Sequence, residues 1–225
     1  MRLDTDLHRV ANAHQLSAVQ EAYAFIDNRI RSGVYAAGQR LVADDIAAEL
    51  SMSRMPVREA FRRLAGDGVI MLRANRGAIV TSLGEQDVRE VFEMRAALEG
   101  LAAGNAVARI KPSQMRDLEL LLERMEEANL EHQTWVTRHR EFHEYLTDLA
   151  GMPRVSRQIA VLHTVIEPYM RVWVSREVNS MQSKACHEHI LEALRTGERE
   201  VVEQALRTHV LSTIPPFAGC LPPGV

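Results

Sequence analysis

The chain has 225 residues, 46% of them hydrophobic and 25% charged; these globular values exclude a disordered or fibrous protein and allow one large domain or two modest ones. Its 27 Lys and Arg against 30 Asp and Glu leave a net charge of −3, which excludes a coat protein basic over its whole surface. Two cysteines cannot make a disulfide framework and point to a reducing cytoplasm; with no run of about 18 apolar residues and a polar start at Met1–Gln15, neither a membrane span nor a signal peptide is expected.

Residues 1–15 carry no helical stripe and read as a flexible N-terminus. Val19, Ala22, Ile26 and Ile30 then recur at helical spacing until Gly33 stops the helix. Tyr35–Leu41 reads as a loop containing Gly38, and Asp44 or Asp45 opens a short helix to about Leu50. Ser51-Met52-Ser53 makes a turn. Ser53 is then placed to cap a helix running to about Asp67, with Pro56 in its first turn, where the missing N–H is harmless. Val69–Leu72 and Ala78–Thr81, joined through Asn75 and Gly77, predict a β-hairpin.

From Glu85 onward the pattern is helical throughout, with helices at about 85–110, 113–130, 134–150, 153–177, 183–196 and 198–213. Pro112, Gly151-Met152-Pro153 and Gly197 mark breaks, and Pro168 is expected to kink the fourth of these helices. The tail 214–225, with four Pro and two Gly, reads as loose. The expected fold is therefore mainly α. A helix-plus-hairpin module over 16–82 precedes an all-helical bundle of about six helices over 85–213, with the boundary near Leu83-Gly84.

The charges divide along the same line. Residues 1–82 hold 11 Arg and no Lys against nine acids, a net of +2, leaving 16 bases against 21 acids, a net of −5, in the rest. Six arginines fall within 54–76 against only Glu59 and Asp67. On the 53–67 helix, Val57, Phe61 and Leu64 share an inward face, while Arg54, Arg58 and Arg62 share the outward one. A row of guanidinium groups can meet phosphates and fork onto guanine O6 and N7, for which the planar Arg is suited and Lys is not. A short helix and tight turn before that helix make a helix-turn-helix, which lays the second helix in the major groove. The hairpin tip adds Arg73 and Arg76 beside Gly77. A charged surface helix packed on a small sheet is the alternative that spacing alone leaves open.

The stretch Ile30–Val80 resembles the winged helix-turn-helix of GntR-family transcription regulators. The resemblance rests on Arg31-Ser32-Gly33-Val34-Tyr35, Gly38-Gln39-Arg40-Leu41, Ser53-Arg54-Met55-Pro56-Val57-Arg58-Glu59-Ala60 and Asn75-Arg76-Gly77-Ala78. It implies that Ser53, Arg54, Met55, Pro56 and Arg58 contact DNA and that Arg76 and Gly77 form the tip of the wing; the helix periodicity adds Arg62. Ala37 stands where the loop usually carries Pro. Asp44 stands where some members have an Arg that reaches DNA, so no DNA contact is expected from that helix start.

Seven of the nine histidines lie after residue 130. His139 and His143 project one turn apart from one helix face. His187 and His209 stand 10 and 12 residues to either side of Gly197, so an antiparallel hairpin there brings them to nearly the same level. Two such pairs facing each other across a bundle can hold a metal ion, the alternative being that each histidine merely packs. Residues 85–213 also resemble the FCD effector domain of FadR-type GntR regulators, through Glu93-x-Arg95-x-x-Leu98-Glu99, Phe142-His143, His187-Glu188-His189-Ile190-Leu191-Glu192-Ala193-Leu194 and His209. The resemblance implies a divalent cation held at His139, His143, His187 and His209, with His139 in place of the usual Asp. His139 could instead turn away and leave three ligands. Four nitrogens favour Zn²⁺ or Ni²⁺ over Mn²⁺ or Mg²⁺.

Arg95, set among Val88, Val91, Phe92 and Leu98, needs an anionic partner. Glu99, one turn on, supplies one; the alternative is the carboxylate of a small organic acid in the bundle cavity, which the resemblance favours. Met170, Met181 and Trp173 read as core filler and cavity lining. The sequence is therefore expected to encode a dimeric cytoplasmic regulator, a repressor rather than an enzyme. It would bind a palindromic double-stranded operator and answer to a small carboxylate metabolite bound with a divalent metal. The competing reading is a metal-dependent hydrolase using Glu141 or Glu188.

Overall fold

The computed structural model describes residues 18–73, 77–128, 132–176 and 180–213. The expected flexible start, the hairpin-tip residues Asn75 and Arg76 and the tail 214–225 lie outside them. The chain divides into two compact units, Met1–Ser82 and Leu83–Val225.

In the first unit, α1 (18–31) buries Val19, Ala22, Ile26 and Ile30, the residues whose spacing predicts it. β1 (Arg40–Leu41), α2 (Ala43–Glu49), α3 (Arg54–Gly66), β2 (Ile70–Arg73) and β3 (Gly77–Val80) follow. Val57, Phe61 and Leu64 of α3 are buried, so its inward face falls where the periodicity puts it. Ser53 is the N-cap, in extended backbone, although its hydroxyl makes no capping hydrogen bond.

One expectation needs correction. Arg40-Leu41 is not loop but a third strand in a sheet of order β1-β3-β2, pairing antiparallel with β3 through Arg40↔Ile79 and Leu41↔Ala78. Backbone bonds Gly38 N–H to Val80 carbonyl and Val80 N–H to Gln39 carbonyl, 3.0 and 2.9 Å, tie the segment down. A two-residue strand is too short to display the alternation by which strands are recognised. Its closeness explains Gly77, which has φ +83° and sits where a Cβ would overlap the Leu41 carbonyl oxygen.

The second unit is a bundle of α4 (Glu85–Ala106), α5 (Pro112–Glu127), α6 (His132–Asp148), α7 (Pro153–Arg176), α8 (Ser180–Thr196) and α9 (Arg199–Ser212). α7 runs unbroken through Pro168. α8 and α9 fold back on each other at Gly197, whose φ of +72° suits glycine. α4 packs closely along α9 because Gly100 and Gly104 admit Arg207, Glu203 and Arg199; a methyl at Gly100 would overlap Arg207 and crowd the Glu203 carbonyl. Phe92, Phe142, Leu146, Ile190 and Leu206 lie in the apolar core of this unit. No described helix is long and apolar enough to cross a membrane.

Candidate metal centre and nucleic-acid interface

Helical periodicity brings the metal candidates together. On α6, Val136, His139, His143 and Leu146 form one buried stripe, while α8 turns His187 inward beside Ile190 and Leu191. α9 presents His209 between buried Leu206 and Val210. One ring nitrogen from each of His139, His143, His187 and His209 lies within 4.8 Å of all the others. His139 does not turn away: its ring stacks on Trp135 at 4.9 Å and stands 4.4 Å from His143 and 5.1 Å from His187 between centroids. His187 and His209 are 4.3 Å apart, the common level that the Gly197 hairpin predicts.

Electrostatics favour neutral, coordinating imidazoles at His139 and His209. Burial, reinforced by the neighbouring histidines, holds His139 and His209 well below the ordinary histidine value. His143 Nδ1 lies 2.7 Å from Glu99 Oε2. Burial opposes ionisation of Glu99, yet Arg95, His163 and His143 together hold its carboxyl well below the usual carboxylate range. An ionised carboxylate only accepts, so His143 Nδ1 carries the proton and its Nε2 is left with a lone pair. That Nε2 stands 3.2 Å from His209 Nε2, close to the separation of about 3.3 Å between two nitrogens each 2.0–2.1 Å from a shared tetrahedral ion. His209 Nδ1 is buried with no hydrogen-bond partner among the described residues. The donor set thus fits a divalent cation, and Glu99 supplies the outer carboxylate that such histidines commonly have.

Arg95 and Glu99 are both fully inside the bundle, 2% and 0% exposed, and Arg95 Nε donates to Glu99 Oε1 over 2.8 Å. The i+4 partner is therefore made. Arg95 also lines a small cavity with His139, Arg140, His163, Glu167 and Met170, in which about 10 Å³ is open to the centre of a water molecule, room for roughly one. His163 Nε2 stands 3.2 Å from Glu99 Oε1 and 3.4 Å from Arg95 Nη2, and burial, with Arg95 adding to it, pushes its imidazole down to about 3. Neither the bond from Glu99 to His143 nor the place of His163 was predicted from the sequence. The side chains of Trp173 and Met181 lie outside the described residues.

The hydrolase candidates lie elsewhere. Glu141 pairs with Arg138 at 2.6 Å and Glu188 approaches Lys184 at 3.8 Å, all four partly or well exposed. His189 is likewise exposed, 3.8 Å from Glu192.

On the first unit, α3 presents Ser53, Arg54, Met55, Arg58 and Arg62 to solvent, with Met55 61% exposed despite its apolar side chain. Pro56, by contrast, is buried in the first turn of α3. Arg54 Nε pairs with Asp44 Oδ1 at 2.7 Å and Arg62 with Glu59 at 3.1 Å, while Arg58 has no ion pair among the described residues. Gly77 is required by the approach of β1 to β3, whatever else it does.

Comparisons with known proteins divide the chain in the same place. The family profile described as "Bacterial regulatory proteins, gntR family" matches residues 18–80, and that of the FCD domain matches residues 90–212. An uncharacterized HTH-type transcriptional regulator from the TAR-I ttuE-ttuC' intergenic region of Agrobacterium vitis is 35% identical over 147 residues, 63% of this chain and 84% of its own length. A probable D-xylose utilization operon transcriptional repressor of Paenarthrobacter nicotinovorans is 28% identical over 96% of this chain and 94% of its own. The HTH-type transcriptional repressor RspR of Escherichia coli K12 is 28% identical over 85% of each. Among solved structures, E. coli McbR/YncC aligns over 90% of this chain and 97% of its own with a TM-score of 0.78 at 22% identity, a likeness of fold.

Proposed function

The chain belongs to the GntR family of bacterial transcription regulators and carries an FCD effector domain, and from that premise we propose that it is a cytoplasmic repressor, FadR-like in arrangement. In this reading it grips a palindromic operator as a dimer and is controlled by a small organic acid bound with a divalent metal. It is a DNA-binding regulator and not an enzyme. Two relatives bearing the word repressor support the direction of control.

The observation that carries the effector reading is the knot of four imidazole nitrogens backed by Glu99. His139, His143, His187 and His209 would hold the ion, with Zn²⁺ or Ni²⁺ favoured by four nitrogen donors. When bound, the ion supplies a positive centre that attracts an acid's carboxylate. Arg95 is the group of this chain that would meet that carboxylate, and it faces the cavity already bonded to Glu99. A cavity with room for about one water must widen to admit an acid, so binding displaces side chains of α4, α6 and α7. A ligand moves an equilibrium only by its different affinity for the two states. The acid therefore releases DNA if the widened bundle disfavours the half-site spacing of the two recognition helices.

The test is elemental and mass analysis of the purified chain, followed by titration of the metal-free form with Zn²⁺ and Ni²⁺. About one ion per chain, lost in H143A, is expected, together with a co-purifying carboxylate that weakens DNA binding. No bound ion and an unchanged melting temperature on adding either metal would leave the histidines as packing and overturn the reading.

A further inference from the structure

Outside the metal centre, an ion pair on the first unit joins the start of α2 to the start of α3. Asp44 Oδ1 lies 2.7 Å from Arg54 Nε, with the two side chains 53% and 71% exposed. An exposed pair of this kind adds little stability. Its position is more telling than its strength. A guanidinium has two usable edges; the carboxylate sits against Nε, and among the described residues no other ion pair holds the terminal Nη1 and Nη2. Those two nitrogens are the ones that fork onto guanine O6 and N7.

We propose that Asp44 is a specificity-determining positioning residue, which holds Arg54 by Nε so that the guanidinium's far edge reads a guanine. The inference rests on the reading that α3 faces DNA. Asp44 acts in two ways. It fixes one long side chain before binding, which lowers the ordering cost when the base contact forms. It also places a negative charge, with Asp45 next to it in the first turn of α2, beside a surface that approaches phosphates. That repulsion weakens binding to every sequence alike and is offset only where Arg54 finds its guanine. Arg58, with no ion pair among the described residues, and Arg62, paired within its own helix to Glu59, have no equivalent partner across the turn.

The experiment compares wild type, D44A, D44N, R54A and D44A/R54A. Preferred duplexes are selected from a randomised pool, and affinities for the selected and a scrambled duplex are then measured at one salt concentration. In D44A, preference is expected to relax at the base pair that R54A also loses, by about five- to tenfold, while the scrambled duplex binds about two- to fivefold tighter. D44N, uncharged but still an acceptor, should fall between, and the double variant should show the same base preference as R54A while binding the scrambled duplex tighter than R54A does. A D44A protein with the full base preference, while R54A has lost it, overturns the positioning role and leaves the DNA-facing reading intact. A uniform loss of affinity with the base profile unchanged marks a structural role and overturns it too. An R54A protein indistinguishable from wild type removes the DNA reading of Arg54 and this inference with it.

Discussion

Replacing Glu99 with Gln perturbs the metal centre without touching any of the four histidines. The wild-type carboxylate is fully buried and accepts from Arg95 Nε at 2.8 Å and from His143 Nδ1 at 2.7 Å. Gln can still accept from one of them, but its amide then turns an N–H₂ toward the other. Facing His143, that donor meets a donor, and the imidazole must move its proton to Nε2, the atom that points at His209. Arg95, 2% exposed, also keeps its charge with its only buried carboxylate partner among the described residues gone. Breaking a buried pair from one side costs about 3–5 kcal/mol, which in a unit of this size lowers the melting temperature by roughly 10–15 °C. Losing an outer-shell carboxylate lowers metal affinity about 10- to 100-fold. Urea unfolding in a chelator reads the first effect, and Zn²⁺ competition against a chromophoric chelator reads the second. A variant that unfolds like wild type and binds Zn²⁺ as tightly would refute the placement of Glu99 altogether; lost stability with unchanged affinity would reduce it to the counter-ion of Arg95.

H139D should retain one ion per chain but lower the preference for Zn²⁺ over Mn²⁺ by an order of magnitude or so, since a carboxylate suits the harder ion; competition titration with both metals checks it, and an unchanged ratio counts against His139 as a ligand. G77A is expected to destabilise the chain by about 1–3 kcal/mol, from the positive φ and the overlap with the Leu41 carbonyl; a wild-type urea midpoint would refute this. Metal-free protein should lose stability as the pH falls from 7.5 to 5.5. His163 titrates near 3 when folded and near 6.5 when unfolded, so its contribution is present above 6.5 and drains away as pH falls through that window, with His139 and His209 shifted in the same direction. Keeping His163 neutral costs about 1.4 kcal/mol by pH 5.5, and urea midpoints that do not move would contradict it. R58A should weaken binding to a selected duplex by about 1–3 kcal/mol if Arg58 forks onto a base, measured at fixed salt.

The parts of this molecule that were legible in the sequence are those written in a period. The inward face of α3 at Val57, Phe61 and Leu64, and the i, i+4 pair His139 and His143, follow from 3.6 residues per turn. The level match of His187 with His209 follows from counting outward from Gly197. β1 escaped because two residues carry no period; only its partner strand makes Arg40-Leu41 a strand. Glu99 was half-legible. Its spacing from Arg95 predicts their pair, but its second oxygen reaches His143, 44 residues away on another helix, and no local pattern encodes that distance.

His163 escaped for a more general reason. It sits on α7, a helix that supplies no metal candidate, and a single buried histidine reads in sequence like any satisfied core residue. What distinguishes it is company: Glu99 at 3.2 Å, Arg95 at 3.4 Å and a place in the cavity wall. These contacts place one buried carboxylate between the guanidinium expected to meet an acid and an imidazole expected to hold a metal. On the proposed reading, any ligand that draws Arg95 away from Glu99 changes the charge felt by His143, so acid and metal would not bind independently. That coupling is a property of three helices packed together, with α4 able to lie close to α9 because residues 100 and 104 are glycine. It is therefore fixed by packing between distant segments, and the sequence displays the donors without displaying the connection.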